Sequence, residues 1–350
     1  MFRFTCPWRI AMGIRTTVVG SWWIHAENEQ DLARHFAGTL TPAESEALLT
    51  RAATQAIKEQ RDLGLDDWSG GEYHTDNFIC HLHRHLTGLE IIKPAESTIS
   101  DYDDITVAKV VGRIDAPNGL GYADAYKREK DLPGGVRKAG VAGPFDVPIA
   151  ALFSDMEAVK KQIPGLISLV NRELRGIADA GCPVVQLDAA VEGMFVSAGF
   201  MPAQQAADAI AACFEGVKAK KALHVCNGTL RGRPGVGALR CAPWVEILQC
   251  LDGVIDIALV EVKYFSQYQE REAFKALPKS MTLAAGIVDE ACYWIEPVKK
   301  IRERIGDWAR VVGEERLWVS TSCGFNRHPS RNIPVLRQKV ENMVEAARTL

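Results

Sequence analysis

Apolar positions follow two alternating rhythms along most of this chain: short β-branched runs, then longer stretches in which apolar side chains return every three or four residues. The short runs are 16–21 (TTVVGS), 65–72 (LDDWSGGE), 139–147 (AGVAGPFDV), 183–188 (PVVQLD), 222–226 (ALHVC), 256–262 (DIALVEV), 282–289 (TLAAGIVD) and 317–323 (LWVSTSC). Short strands separated by helical crossovers predict parallel βα units. There are eight such runs, the number that closes a single (β/α)8 barrel.

The helices between them have readable starts and faces. Thr41-Pro42-Ala43-Glu44 reads as an N-cap, a proline at the first helical position and a capping-box acid, opening a helix to about Leu63. Residues 165–180 place Leu166, Leu169, Val170, Leu174 and Ile177 on one face. After Pro334, the last helix does the same with Leu336, Val340, Met343, Val344 and Ala347. Two segments break the rhythm. Segment 88–138, with DITVAKVVGRID and the turn-rich NGLGYADAYKREKDLPGG, reads as an excursion over the barrel mouth, and 228–240 (GTLRGRPGVGALR) as a second insertion. No repeat, low-complexity tract or linker divides the chain, so the expectation is one domain over 16–350 preceded by an extension, 1–15.

Composition narrows the class. With 47% apolar and 24% charged residues the chain is an ordinary globular protein, and 41 basic against 44 acidic side chains, a net charge of −3, give no reason to expect a polyanion-binding surface such as one for nucleic acid. No apolar run reaches the roughly 18 residues of a membrane span, and the first residues lack the apolar core of a secretory signal. Nine cysteines, an odd number scattered without framework spacing, fit free thiols in a reducing cytoplasm.

Reactive side chains gather at the C-terminal ends of the expected strands, where barrel enzymes place their sites. His224 and Cys226 close the fifth strand, and residues i and i+2 of a strand face the same side, so they can offer a nitrogen and a sulfur to one ion. Glu261 ends the sixth strand and Cys323 the eighth. One histidine, two cysteines and one carboxylate form a donor set suited to Zn²⁺.

These residues resemble the catalytic barrel of the cobalamin-independent methionine synthase family, and the likeness spans Thr16 to Leu350. The matching pieces follow in order: TTVVGS, GGE after GLDDW, AGP before Phe145, GCPVVQLD, LHVC, ALVEV, AAGIVD, and LWVSTSCG followed by ENMVEAARTL. The family's larger enzymes carry a second, amino-terminal barrel, so this chain is similar to the short, single TIM-barrel members. The resemblance implies zinc ligands at His224, Cys226, Glu261 and Cys323, and homocysteine contacts at Val19, Gly20, Ser21, Glu72 and Asp188. Two carboxylates suit a cationic α-amino group, whereas a sulfonate acceptor would call for Arg or Lys.

Departures concern the methyl donor. The family's general-acid histidine falls on Ala291, after the strand ending in Asp289 and Glu290, the two candidate catalytic residues. Its pterin-facing tryptophan falls near Ala150, and its DEP triplet reads Asp188-Ala189-Ala190. Glu192 and Arg113 lie only roughly at donor-binding positions. The donor expected is a methyl-folate or a methylcorrinoid, the latter carried by a corrinoid protein and needing no proton for its leaving group. Trp22 and Trp23 fit packing of the mouth or stacking on a flat donor, and Arg231, Arg233 and Arg240 fit an anionic donor or a solvated loop. In the run His81-Leu82-His83-Arg84-His85 only the outer two histidines share a helical face and no further ligand completes a set, which argues against a metal site there. No nucleotide-binding glycine motif occurs. The function expected is zinc-dependent methyl transfer to homocysteine. Its rivals are a related zinc alkyltransferase acting on a thiol such as coenzyme M, a uroporphyrinogen-decarboxylase-like barrel, and a structural zinc scaffold.

Overall fold

Seven of the eight expected strands lie in one sheet. The computed structural model describes residues 13–75, 82–93, 106–230, 233–234, 240–325 and 332–350. Its strands are β1 (Arg15–Thr17), β2 (Thr87–Lys93), β3 (Val107–Asp115), β4 (Lys138–Ala142), β5 (Val184–Asp188), β6 (Lys220–Val225), β7 (Thr229–Leu230), β8 (Arg233–Pro234), β9 (Ile257–Glu261), β10 (Thr282–Val288) and β11 (Leu317–Thr321). The main sheet runs β1-β11-β10-β9-β6-β5-β4, every neighbouring pair parallel. The sheet curls: Thr17, Lys138, Val184, Ala222, Ile257, Leu259 and Trp318, from strands at both edges and between, line one narrow interior space together with Asp67. Val184, Ala222, Ile257, Leu259 and Ala284 pack there as a small inner core, separate from the larger core between sheet and helices.

Segment 65–72 departs from expectation, because it forms no regular strand. It still bridges both sheet edges: the Asp66 and Asp67 N–H groups donate to Thr16 O (3.1 and 3.2 Å), and those of Arg137 and Lys138 to Trp68 O (3.1 Å each). The reason lies in its side chains and dihedrals. The buried Gln60 amide takes the place of a strand partner at Ser69, accepting from its N–H (3.1 Å) and donating to its carbonyl (2.9 Å). Gly71 (φ 90°) and Glu72 (φ 60°) then turn into the left-handed region, which no ladder tolerates.

Other boundaries shift for local reasons. The Thr41 capping box forms as expected, and its helix is Pro42–Asp62. The helix expected from residue 165 begins at Met156 and runs through Pro164, because Val159 extends its buried face. Arg15, counted from sequence as extension, is the first residue of β1, and the buried Ile14 donates its N–H to Ala347 O (3.2 Å). The 88–138 excursion is an antiparallel β2–β3 hairpin followed by the Tyr122–Glu129 helix. The hairpin rests on the start of the Met156–Asp179 helix, with Val110 N–H donating to Asp155 Oδ2 (3.3 Å) and Ile114 N–H to Gln162 Oε1 (3.4 Å). The described part of the second insertion is the two-residue ribbon β7–β8.

Glu129 makes the fold sensitive to pH. It is buried beside Gly70, and burial pushes its carboxyl up to about 7 despite Arg128 Nη2 at 3.5 Å. A raised carboxyl means that the folded state keeps a proton the unfolded chain has lost, so stability falls as pH rises from about 4.5 through 7. Glu129→Gln is therefore expected to stabilise the protein by on the order of 2 to 3 kcal/mol at pH 8 and by nothing near pH 4. Urea unfolding at the two pH values measures this.

Candidate metal centre and acceptor site

Sheet register places the first candidate residues. Strand β5 pairs with β6 so that Asp188 stands opposite His224, and β10 pairs with β9 so that Gly286 stands opposite Glu261. His224, Cys226 and Cys323 are all buried, and their ligand atoms lie within 4.8 Å of one another, the only such group among the described residues. His224 Nδ1 lies 3.2 Å from the Leu259 carbonyl, which can only accept, so Nδ1 keeps a hydrogen and Nε2 is the nitrogen left to exchange its proton for a cation. That Nε2 is buried without a hydrogen-bond partner.

The electrostatics of this triad favour a cation. A hydrogen bond from Cys323, together with His224, holds the Cys226 thiol well below its ordinary range despite burial. Burial opposes a charged His224, yet the Cys226 thiolate outweighs it and pushes the imidazole up to about 9. The Gly228 N–H also donates to Cys226 Sγ (3.4 Å). A buried thiolate, a second thiol and an orphaned imidazole nitrogen fit a zinc ion by donor chemistry.

Glu261 stands outside that triad. Its Oε1 accepts from Asn227 Nδ2 (2.8 Å) and Gln267 Nε2 (2.9 Å), while Oε2 is buried without a hydrogen-bond partner. Burial pushes this carboxyl up to about 7, countered in part by Lys263.

The acceptor positions implied by the resemblance also converge. Gly20 and Gly140 make room for carboxylates: a Cβ on Gly20 would overlap Glu72 Oε1, and one on Gly140 would stand 3.0 Å from Asp188 Oδ2 and 3.3 Å from Glu72 Oε1. Glu72 is the only described non-glycine residue with positive φ, backbone strain of the kind that clusters at functional sites. Burial pushes Asp188 up to about 6, against the pull of His224 and Lys138. Ser21 packs against Gly324, and its carbonyl accepts from Phe325 N–H (2.9 Å), so the acceptor segment adjoins the loop after Cys323.

Sequence reasoning missed the groups that hold this arrangement. Gln186 Nε2 donates to both Val19 O (2.9 Å) and Asp188 Oδ1 (2.8 Å), and Gln186 Oε1 accepts from Lys138 Nζ (2.8 Å). Lys138 also donates to the carbonyls of Val18 and Val19. The available signal was spacing, since Gln186 lies two residues before Asp188 on one strand and so shares its side. Lys263, two residues after Glu261, carried the same signal.

The remaining candidates are placed less favourably. Asp289 and Glu290 both engage Lys263, at 3.1 and 3.3 Å, and Glu290 is fully buried, so the geometry makes them ion-pair partners and shows no free acid. Glu192 is buried and hydrogen-bonded to the buried Asp146, a carboxyl pair that burial and mutual repulsion keep partly protonated, with Glu192 pushed up to about 7. Arg113 is exposed on the β2–β3 hairpin. Ala150 and Ala291 are buried. Trp22 and Trp23 are packing residues: both indoles are buried, stack at 3.9 Å and donate to Glu59 Oε2 (3.0 Å each). Arg240 pairs with Glu270 (2.8 Å), whereas Arg231, His81 and the side chain of Arg233 lie outside the described residues.

The family model described as "Cobalamin-independent synthase, Catalytic domain" matches residues 14–349. The chain belongs to this family. A relative within it, the methionine synthase of Sulfolobus acidocaldarius, is 21% identical over 94% of this chain and 90% of its own length. The 5-methyltetrahydropteroyltriglutamate–homocysteine methyltransferase of Rhodopseudomonas palustris is also 21% identical, over 96% of this chain, and the match spans 41% of that longer protein. A B12-independent methionine synthase from Shewanella, solved in complex with selenomethionine, superposes with a TM-score of 0.71 at 20% identity, covering 89% of each chain. At that identity the superposition establishes a shared fold, so this family member has the curled parallel sheet of its structural neighbours. Among its described residues no helix is long and apolar enough to cross a membrane.

Proposed function

We propose that this member of the family is a zinc-dependent methyltransferase that moves a methyl group to the thiol of homocysteine, giving methionine. The carrying observation is the adjacency of two sites, a buried His224–Cys226–Cys323 triad with an orphaned imidazole nitrogen and a pair of carboxylates, Glu72 and Asp188, meeting over Gly140. In this reading segment 65–72 completes an eight-membered barrel, and the chain from residue 16 onward is one catalytic domain working in a reducing cytoplasm.

His224, Cys226 and Cys323 would hold the metal, and Glu261 would supply a fourth, exchangeable donor. When bound, zinc supplies the Lewis acidity that ionises a thiol near neutral pH. Glu72 and Asp188 hold the acceptor's ammonium group by charge-assisted hydrogen bonds, and Gln186 and Lys138 fix Asp188 and the Val19 carbonyl from behind. The same two carboxylates repel a sulfonate, which disfavours coenzyme M as acceptor.

The proposed donor is a methyl-folate, as the names of longer relatives suggest. Its amine leaving group needs a proton that Ala291 cannot give, and the proton-sharing Asp146–Glu192 pair is a source for it. Zinc-loaded protein offered homocysteine with methyl-folates of one or several glutamates, methylcobalamin or S-methyl donors is expected to form methionine from a methyl-folate. Turnover with methylcobalamin alone would shift the donor assignment to a corrinoid, and no methionine from any donor would end the homocysteine reading.

A further inference from the structure

One buried cation ties together the strand ends that carry the metal-site residues. The Lys263 side chain is 2% exposed, and its Nζ lies 3.1 Å from Asp289 Oδ1, 3.3 Å from Glu290 Oε1 and 4.0 Å from Glu261 Oε2. Glu290 in turn accepts from the hydroxyl of Ser322, the residue before Cys323. Lys263 therefore links the ends of β9, β10 and β11.

Glu261 is held unevenly within this frame. On one side its Oε1 is bound by two amides, and that of Gln267 is itself fixed because its Oε1 accepts from Tyr264 N–H (3.1 Å) at the cap of the Phe265–Gln269 helix. On the other side Oε2 makes no hydrogen bond, with Lys263 just beyond hydrogen-bond reach. The carboxylate thus rests outside the triad, facing a cation that two other carboxylates keep from following it.

We propose that Lys263 is a positioning residue that competes with the metal for Glu261, so that the fourth donor is held loosely and an incoming thiol takes its place readily. The proposal rests on the metal-dependent reading above. A group shifts an equilibrium only through its different interaction with the two states. Lys263 faces the Glu261 carboxylate where it rests outside the triad, 4.0 Å from Oε2, and so favours the state in which the fourth position is open.

The test uses cobalt(II) as the probe metal. Lys263→Met/Glu290→Gln removes one buried charge of each sign while nearly keeping side-chain length, so no new unpaired charge is left beside Ser322. Cobalt affinity is measured by competition with a chromophoric chelator, and homocysteine binding by the thiolate-to-cobalt charge-transfer band. The double variant is expected to hold cobalt about 10- to 100-fold more tightly, the usual scale for groups behind a ligand, and to need correspondingly more homocysteine for half-saturation. Should the double variant not fold, Lys263→Gln must move both constants in the same directions. Weaker or unchanged cobalt binding, or a thiol titration identical to wild type, overturns the role of Lys263. Wild-type protein that takes up no cobalt, or shows no thiol-responsive band, defeats the metal-dependent reading itself, and the two failures are therefore distinguishable.

Discussion

Cys226→Ser protein is expected to fold but, on the proposed function, to retain no zinc and to lose methyl transfer with it. Cys226 is the anionic member of the triad, held as thiolate by the thiol of Cys323 and by His224, and serine at that place offers a neutral hydroxyl that does not ionise near neutral pH. Groups that merely support a ligand usually change metal affinity by about 10- to 100-fold, so removing the charged ligand itself should exceed about 100-fold. The fold should survive, because the triad sits at the strand ends while stability resides in the apolar cores inside and around the sheet. Metal content after exhaustive dialysis, paired with far-UV circular dichroism, checks both halves. Zinc retained at one equivalent by the folded variant would remove Cys226 from the ligand set. Unfolding of the variant would make the metal structural and favour the scaffold interpretation.

Asp188→Asn is expected to raise the KM for homocysteine by about 10- to 100-fold while leaving zinc content unchanged. The size follows from the 1.5–3 kcal/mol typical of a hydrogen bond to a charged group. Asparagine keeps the shape and can still meet Gln186, so the loss reports the missing negative charge rather than a cavity. Glu72→Gln should act in the same direction, and because the two carboxylates converge on the same space beside Gly140, their effects should not add. An acceptor lacking the α-amino group, such as a simple alkyl thiol, should be insensitive to either change. Equal losses for both thiols would mean that Asp188 supports the neighbouring His224 strand end rather than the acceptor.

The contrast between these residues and their supports shows where sequence reading stops. His224 and Cys226 are legible as a pair because strand alternation places i and i+2 on one side. Their proximity to Cys323, almost a hundred positions later, is legible only through the expected barrel, which the curled seven-stranded sheet bears out in part. Gln186 reads as an ordinary strand residue and Lys138 as the end of the 88–138 excursion, since nothing local distinguishes an inward-facing polar side chain that ties two carbonyl-bearing segments from one facing water. Asp289 and Glu290 misled in the opposite way: their acidity suggested chemistry, and only packing revealed that Lys263 already engages both.

From the chain alone came the order of most strands and helices, the capping box at Thr41, and the candidate donor residues with the strand ends they occupy, because these depend on periodicity and side-chain chemistry within a few residues. Tertiary structure alone decided that segment 65–72 bridges the sheet edges without forming a strand, that Glu261 rests apart from the triad, and that buried cations brace both sites. Those outcomes are set by competition among groups distant in the chain for the same hydrogen bonds and the same low-dielectric space, a competition that local pattern cannot rank.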